Sequence, residues 1–274
     1  MSRRRLALLA VNGALLILAL LTAFPLLWMI SASLMPAGEA LSLPARLLPS
    51  RPTLQHYEVL FSRLDLGRTF ANSLLLASMI TAVSLLANSM AGYAFAKLRF
   101  RGRGRLFALL LATLVVPPQV TVLPLFLEIR ALGLVNSFGG ILVAGIATVF
   151  GIFLVRQFAQ GIPDELLDAA RLDGASELRI YWSVVLPLLR PILVTLGVFT
   201  FLTAWNDFMW PLIVLTDESK YTLPVALANL SGEHVQDTEL MMAGAVVTVL
   251  PGLLVFLLLQ RQYIEGITMG SVKE

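Results

Sequence analysis

The chain has no cysteine. Disulfides, thiolate metal sites and cysteine nucleophiles are thereby excluded. Charge is scarce as well: Asp, Glu, Lys and Arg make up 14% of the 274 residues, against 58% hydrophobic ones. A soluble domain carries roughly a quarter charged residues, so this deficit places the chain among membrane proteins. Histidine is limited to His56 and His234. Both fall in polar connecting segments, where each is expected to be a solvated loop residue, and no carboxylates can be placed with them to complete a metal site. No GxxxxGK[ST] loop occurs, so the chain has no such route to ATP. It is expected to bind no cofactor of its own.

What is present is long apolar runs. Crossing a bilayer takes about 20 residues, and six stretches qualify: residues 6–33, 69–96, 106–127, 137–155, 192–215 and 241–259. None shows strand-like alternation, so an all-α, polytopic membrane protein of six transmembrane helices is expected, forming one domain over residues 1–274. The first run follows Arg3, Arg4 and Arg5. It is longer than the 7–15 residues, roughly, of a signal-peptide core, and reads as a retained anchor.

Lys and Arg set the orientation. With the N-terminus in the cytoplasm, the inner segments hold Arg3, Arg4, Arg5, Lys97, Arg99, Arg101, Arg103, Arg105, Arg156, Arg171, Arg179, Arg190, Arg261 and Lys273. The outer ones hold Arg46, Arg51, Arg63, Arg68, Arg130 and Lys220. Fourteen against six favours both termini inside. The KLRFRGRGR run at 97–105 is a short basic hinge between spans, a topology signal rather than a nucleic-acid site.

Polar and helix-breaking residues interrupt the spans. Ser84, Asn88, Gly92 and Ala96 recur every four residues in the second, and Gly140, Ala144 and Thr148 in the fourth. Small residues on one face let helix backbones approach closely. The third span holds Pro117, Pro118 and Pro124 with Gln119 beside them, which predicts a kink, structural or lining a pathway. The fifth holds Trp205, Asn206 and Asp207. A carboxylate in a span is costly and points to function, although near the outer interface that cost falls and a structural hydrogen-bonding role is open as well. Gln119, Trp205, Asn206 and Asp207 are therefore candidate pathway residues.

Between the fourth and fifth spans lies a charge-rich segment, about 157–190. Pro163 suits the first position of a helix, and Asp164 and Glu165 suit its positive end. Leu166, Ala169, Ala170 and Leu172 give a nearly continuous apolar face. Gly174 is a helix terminator, Ser176 a good N-cap for a second helix through Trp182 and Leu186, and Pro187 and Pro191 mark re-entry into the membrane. Two short helices with a sharp turn at Gly174 are predicted. As a pair lying on the membrane they are disfavoured, because their acidic excess is repelled by an anionic leaflet.

The series Asp168, Ala169, Ala170, Asp173, Gly174, Ala175, then Leu186, Pro187 and Pro191 resembles the EAA signature of bacterial ABC importer permeases, with Asp168 where that family usually has Glu. Asn72-Ser73, Pro117-Pro118-Gln119, the stretch from Leu132 to Asn136, Ala204 to Asp207 and the tail from Glu265 to Lys273 resemble the carbohydrate-uptake, maltose-type branch, its second six-span permease most closely. The resemblance implies a non-enzymatic subunit of the bacterial inner membrane that works by alternating access. It implies a second permease, two ATP-binding cassette ATPases holding ATP and Mg, and an extracytoplasmic sugar-binding protein as partners, with the lipid bilayer and no nucleic acid. It assigns Asp168, Ala169, Ala170, Asp173, Gly174, Ala175 and Pro187 to ATPase coupling. It also assigns Gly266, Gly270 and Lys273, in the tail of about 261–274, to a further ATPase contact.

Two other classes compete. An ion-driven secondary transporter is expected to carry intramembrane acids or inverted repeats, and only Asp207 answers to the first. An intramembrane protease needs paired catalytic groups within spans, which the two histidines and the lone Asp207 do not supply.

Overall fold

Lipid offers no partners to a peptide group, so long apolar runs must close their hydrogen bonds internally. The computed structural model describes residues 3–44, 46–63, 65–233 and 237–268, and among them it is helical with no strand. Three helices are long and apolar enough to cross a bilayer unaided: α1 (Arg3–Ser33), α3 (Leu66–Lys97) and α14 (Thr238–Thr268). A short α2 (Gln55–Arg63) lies between the first two. By length and composition, three bent pairs bring the number of crossings to as many as six.

The bent pairs differ from the continuous spans expected, each for a local reason. α4 (Arg103–Ala112) runs into a tight turn, Thr113–Val115, and α5 (Pro118–Ala131) departs at 108°. This is a break rather than the expected kink. Each proline pushes the residue before it out of the helical region, and Val116 and Pro117 are both extended, with ψ of 118° and 133°. Pro118 then starts the new helix, where its missing N–H costs nothing.

α6 (Phe138–Gly145) and α7 (Val149–Gln160) meet at 44° without a proline. Here the hydroxyl of Thr148 accepts from Gly151 N at 3.0 Å and caps α7, as Ser137 caps α6. Gly140, Ala144 and Thr148 are thus not one helix stripe: Gly140 is buried, and Thr148 sits at the break.

The fifth run is interrupted too. α11 (Arg190–Trp205) stops at Asn206, and a separate α12 (Met209–Val214) follows. Before it come α8 (Asp164–Leu172), α9 (Glu177–Ile180), a wide π-turn at Tyr181–Val185 and α10 (Leu186–Leu188), with a 79° bend into α11. α13 (Leu223–Glu233) completes the order.

The chain packs as two units. In the one formed by residues 1–67 and 226–251, the end of α1 and the following loop enclose Ala32, Met35 and Ala40 against Trp28 and Met242. His56 corrects the solvated-loop expectation. It lies in α2, buried, with Nε2 at 2.9 Å from the Met35 carbonyl. Glu239, just ahead of the expected sixth span, is also buried, and its carboxylate accepts from Ala40 N at 2.7 Å. His234 lies outside the described residues. Upstream, residues 11–31 of α1 are apolar nearly all round and none of them is buried, the pattern of a helix made to face lipid or another chain.

The other unit, residues 68–225 and 252–274, holds the main core. α3 packs its polar face inward: Ser84, Asn88 and Ser89 are fully buried. Lipid removes the hydrophobic drive between helices, leaving close packing and hydrogen bonds to hold them. Gly92 meets α7 so closely that a Cβ there would stand 2.6 Å from Val155 Cγ1.

Candidate functional site

Two regions of this unit stand out, an exposed elbow and an internal cleft. The elbow is built by α8 and α9. Pro163 is the residue before α8 rather than its first, extended at φ −59° and ψ 134°. Gly174 has φ +79°. Its N–H reaches Arg171 O at 3.0 Å, while Ala175 N reaches Ala170 O at 3.0 Å. This is the Schellman arrangement that ends a helix through a left-handed residue. Ser176 then caps α9, its hydroxyl accepting from Arg179 N at 3.4 Å.

Ionic bonds tie the elbow together and to α3. Arg171 donates to Asp168 at 2.7 Å and to Glu177 at 2.8 Å, so one guanidinium bridges both arms. Tyr93 of α3 donates its hydroxyl to Glu177 at 2.8 Å. Lys97, at the end of α3, donates to Asp164 at 2.7 Å and to the Ile162 carbonyl at 2.5 Å. The Lys97 hydrogen bond holds the Asp164 carboxyl below its ordinary range. Arg171 does the same for Glu177, and Glu177 and then Asp168 in turn make Arg171 still harder to deprotonate.

The apolar face of α8 divides differently from the sequence expectation. Leu167 is the buried residue, 1% exposed, and Ala170 and Ala175 pack on the same core. Leu166 and Leu172 point to the surface, Leu172 at 90% exposure, joined by Leu178 and Trp182. Ala169, Asp173, Gly174 and Pro187 are exposed as well. The elbow thus offers bare leucines beside Ala169, an exposed apolar patch on a braced turn. Sequence reasoning missed Leu178 as part of this surface. It also missed Tyr93 and Lys97 as its supports, since neither lies in the segment.

The cleft, about 460 Å³, forms where the three broken spans meet. Pro118 and Thr121 come from the start of α5, Thr148 and Phe150 from the α6–α7 break, Asp207 and Trp210 from the break before α12. Phe199, Thr200 and Thr203 of α11 add a ring and two hydroxyls. Interrupted spans place unpaired backbone and polar side chains at membrane depth only where protein or a cavity surrounds them.

Of the candidate pathway residues, only Asp207 lines this cleft. Its carboxylate accepts from Trp210 N at 3.4 Å, and Trp210 Nε1 donates to Gly140 O at 3.2 Å. Trp205 is buried, stacked on Phe201 at 6.1 Å and edge-on to Phe70 at 5.4 Å. Asn206 is exposed and donates to its own helix at Leu202 O, 2.8 Å. Gln119 is exposed and is not among the cleft residues. Among the described residues no cluster of His, Asp and Glu fit to hold a metal is found. Of the tail residues, Gly266 falls in the last turns of α14, and Gly270 and Lys273 lie outside the described residues.

Comparison with known proteins gives a consistent answer. The family model described as binding-protein-dependent transport system inner membrane component matches residues 84–267, which include the elbow and all of the cleft lining except Ile80. The arabinooligosaccharides transport system permease protein of Halalkalibacterium halodurans is 38% identical over 93% of this chain and 93% of its own length. The lactose transport system permease protein of Rhizobium radiobacter is 32% identical over 99% and 98%. The crystal structure of a bacterial ABC transporter involved in the import of the acidic polysaccharide alginate superposes with a TM-score of 0.81. It is 28% identical and covers 95% of this chain and 98% of that one.

Proposed function

The chain belongs to the family of binding-protein-dependent transport system inner membrane components, and on that footing we propose that it is one permease subunit of an ATP-driven importer for a disaccharide or oligosaccharide. The family is one of transport subunits, not of enzymes. ATP and Mg belong to two partner ATPases, which dock on the elbow. A second permease closes the pathway, and an extracytoplasmic sugar-binding protein delivers the substrate. The Lys and Arg distribution supports cytoplasmic termini, with the elbow on the same side.

The observation that carries this reading is the elbow itself. A Schellman-closed turn and a guanidinium bridging its two arms hold Leu166, Leu172 and Leu178 out into solvent. Three exposed leucines on a braced turn are costly unless a partner covers them. The sugar assignment has separate support. A sugar presents apolar C–H faces and many hydroxyls, and the cleft offers rings from Phe150, Phe199 and Trp210 with hydroxyls from Thr121, Thr148, Thr200 and Thr203 and one carboxylate. A mostly apolar wall with a few polar groups is the usual make-up of a small-molecule site. The two relatives and the structural neighbour named above are transporters of arabinooligosaccharides, lactose and the polysaccharide alginate.

The test is uptake of labelled arabinotriose and lactose by proteoliposomes that hold the purified complex and its binding protein. ATP inside should drive uptake, and ionophores should leave it unchanged. Uptake that follows an ion gradient and ignores ATP overturns the reading in favour of a secondary transporter. Orientation is tested separately, since the chain has no cysteine of its own. Single substitutions Ser2→Cys, Gly104→Cys and Ser271→Cys should resist an impermeant thiol reagent in intact cells, whereas Ser50→Cys and Ser231→Cys should react.

A further inference from the structure

α3 is a long, unbroken helix that touches both the elbow and the cleft wall. Its inward face carries a series of polar side chains, Asn88, Ser89 and Tyr93, each with a partner on a different element. Asn88 Oδ1 accepts from Thr148 N at 2.9 Å, and its amide donates to Ser84 Oγ at 2.9 Å and to Thr148 Oγ1 at 3.4 Å. Thr148 caps α7 and lines the cleft. Asn88 therefore satisfies the backbone N–H that the α6–α7 break leaves unpaired. One residue on, the Ser89 and Tyr181 hydroxyls are 2.6 Å apart, which grips the π-turn after α9. One turn further, Tyr93 bonds Glu177 at the start of α9.

At 1.5 Å of rise per residue, the five-residue step from Asn88 to Tyr93 spans about 7–8 Å of a stiff rod. The rod is also wedged against α7. A Cβ on Gly92 would collide with Val155, and one on Gly151 would stand 2.7 Å from Asn88 Cγ. Tyr93, Val155, Ile180, Tyr181 and Leu196 belong to one buried cluster, so the hydrogen bonds sit in packing that leaves little slack.

From this geometry we infer that Asn88 and Tyr93 are positioning residues that link the elbow to the cleft through α3. Displacement of α9 pulls Tyr93 through Glu177 and Ser89 through Tyr181. α3 then carries Asn88, and Asn88 carries the break at Thr148 that walls the cleft. The inference rests on the importer reading above and deepens it, naming the side chains that convey ATPase motion to the pathway. Plain packing predicts something different, a loss of stability with no selective loss of coupling.

A probe of the cleft that needs no known substrate separates these. Thr203 lines the cleft, so Thr203→Cys supplies a single reporter thiol in a chain without cysteine. In the assembled importer with its ATPases, the rate of labelling of this thiol by a small maleimide is measured with and without MgATP and vanadate. In the otherwise unaltered chain ATP should change that rate; if it does not, the importer reading itself fails.

Tyr93→Phe and Asn88→Ala should keep ATPase turnover and complex yield while shrinking the ATP-dependent change about fivefold or more. The double variant should be no worse than the worse single, as for two links in series. Glu177→Gln, which leaves Tyr93 an acceptor, should retain more of the change than Tyr93→Phe. The inference is overturned if both single variants keep the full ATP-dependent change. It is overturned equally if labelling, ATPase turnover and melting temperature fall together.

Discussion

The elbow and the cleft are both places where a helix is made to stop, and they are stopped by opposite means. At the elbow the devices are those of water. A glycine in the left-handed region ends α8, and ion pairs among exposed side chains fix the angle to α9. Around the cleft the devices are those of lipid. Consecutive prolines, a threonine cap and an aspartate accepting a backbone N–H each resolve a break without a free charge pair. An unpaired polar group at the elbow can turn to solvent at little cost, whereas one at the cleft has only the protein. The elbow should therefore tolerate loss of a single carboxylate such as Asp168 but not of its backbone turn, and the cleft should be sensitive to each polar group.

The largest effect expected on this contrast is at Gly174. Open space surrounds a Cβ built there, so bulk is not the obstacle; φ of +79° is. A β-branched residue is strained in that region, whereas Asn enters it readily. Gly174→Val should abolish ATP-driven uptake and weaken ATPase co-purification while the chain remains in the membrane. Gly174→Asn should keep most of both. Equal loss in the two variants would mean that bulk against a docked partner, not the turn, sets the requirement.

Next in size are the residues at the break before α12, of which Asp207 lines the cleft; there the contrast predicts a split between stability and transport. Trp205→Ala removes a ring packed on Phe201 and Phe70 and should lower the melting temperature in detergent by several degrees, since large-to-small core changes cost about 3–5 kcal/mol. Asp207→Asn retains an oxygen to accept from Trp210 N. It should leave melting within a degree or two and cut uptake several-fold if the carboxylate serves the pathway. Asn206→Ala, at an exposed side chain bonded only to its own helix turn, should move neither quantity much. Parallel loss of melting and uptake at Asp207 would make that residue structural.

The elbow was largely legible in the sequence because its signals are local. Gly174 as terminator and Ser176 as cap are read within a few residues of chain, and so are the acidic residues that open α8 and α9. The bend at Pro117-Pro118 also announces itself by residue type, though as a kink rather than a break, whereas the stop after Trp205 falls inside a run that reads as one continuous span. The break at Thr148 does not announce itself either, because its fourth-span neighbours read as a small-residue stripe. The available signal was a Thr three residues ahead of Gly151, a capping spacing that was outweighed by apolar continuity. The side of α8 that faces the core was not legible either. Leu166, Leu167 and Leu172 are chemically alike, and only the buried cluster assembled from α3, α7, α9 and α11 decides that Leu167 goes in. The same holds for buried His56 and for Tyr93: their partners lie far along the chain, at Met35 and Glu177, and no periodicity encodes them.

A smaller effect, with a defined sign, is the response of the elbow to pH. Asp164 and Glu177 have carboxyl pKa values held below the ordinary ones by Lys97 and Arg171 respectively. A lowered pKa in the folded state contributes stability that is present above the ordinary carboxylate value near 4 and is lost as pH falls through the lowered one. Hydrogen exchange of the α8 amides, corrected for intrinsic rates, should therefore stay flat from about pH 8 to about pH 5 and rise only in more acid conditions. A rise already at neutral pH would show that something other than these carboxylates holds the elbow.

The smallest effect expected is at Asp168, although the family signature gives its position prominence. Its side chain is 66% exposed and its observed bond is to Arg171, itself 37% exposed. Exposed pairs of this kind contribute little, because water and side-chain entropy offset the attraction. Arg171 retains Glu177 when Asp168 is removed. Asp168→Ala should thus reduce uptake by no more than about twofold to threefold if its role is only to brace the turn. Arg171→Ala frees both arms and should cost clearly more. The double variant should match Arg171→Ala alone, since nothing remains for Asp168 to brace. A large loss in Asp168→Ala with Arg171 intact would instead place that carboxylate in direct contact with an ATPase. The elbow would then depend on a charge as the cleft does, and the contrast between the two regions would fail at that point.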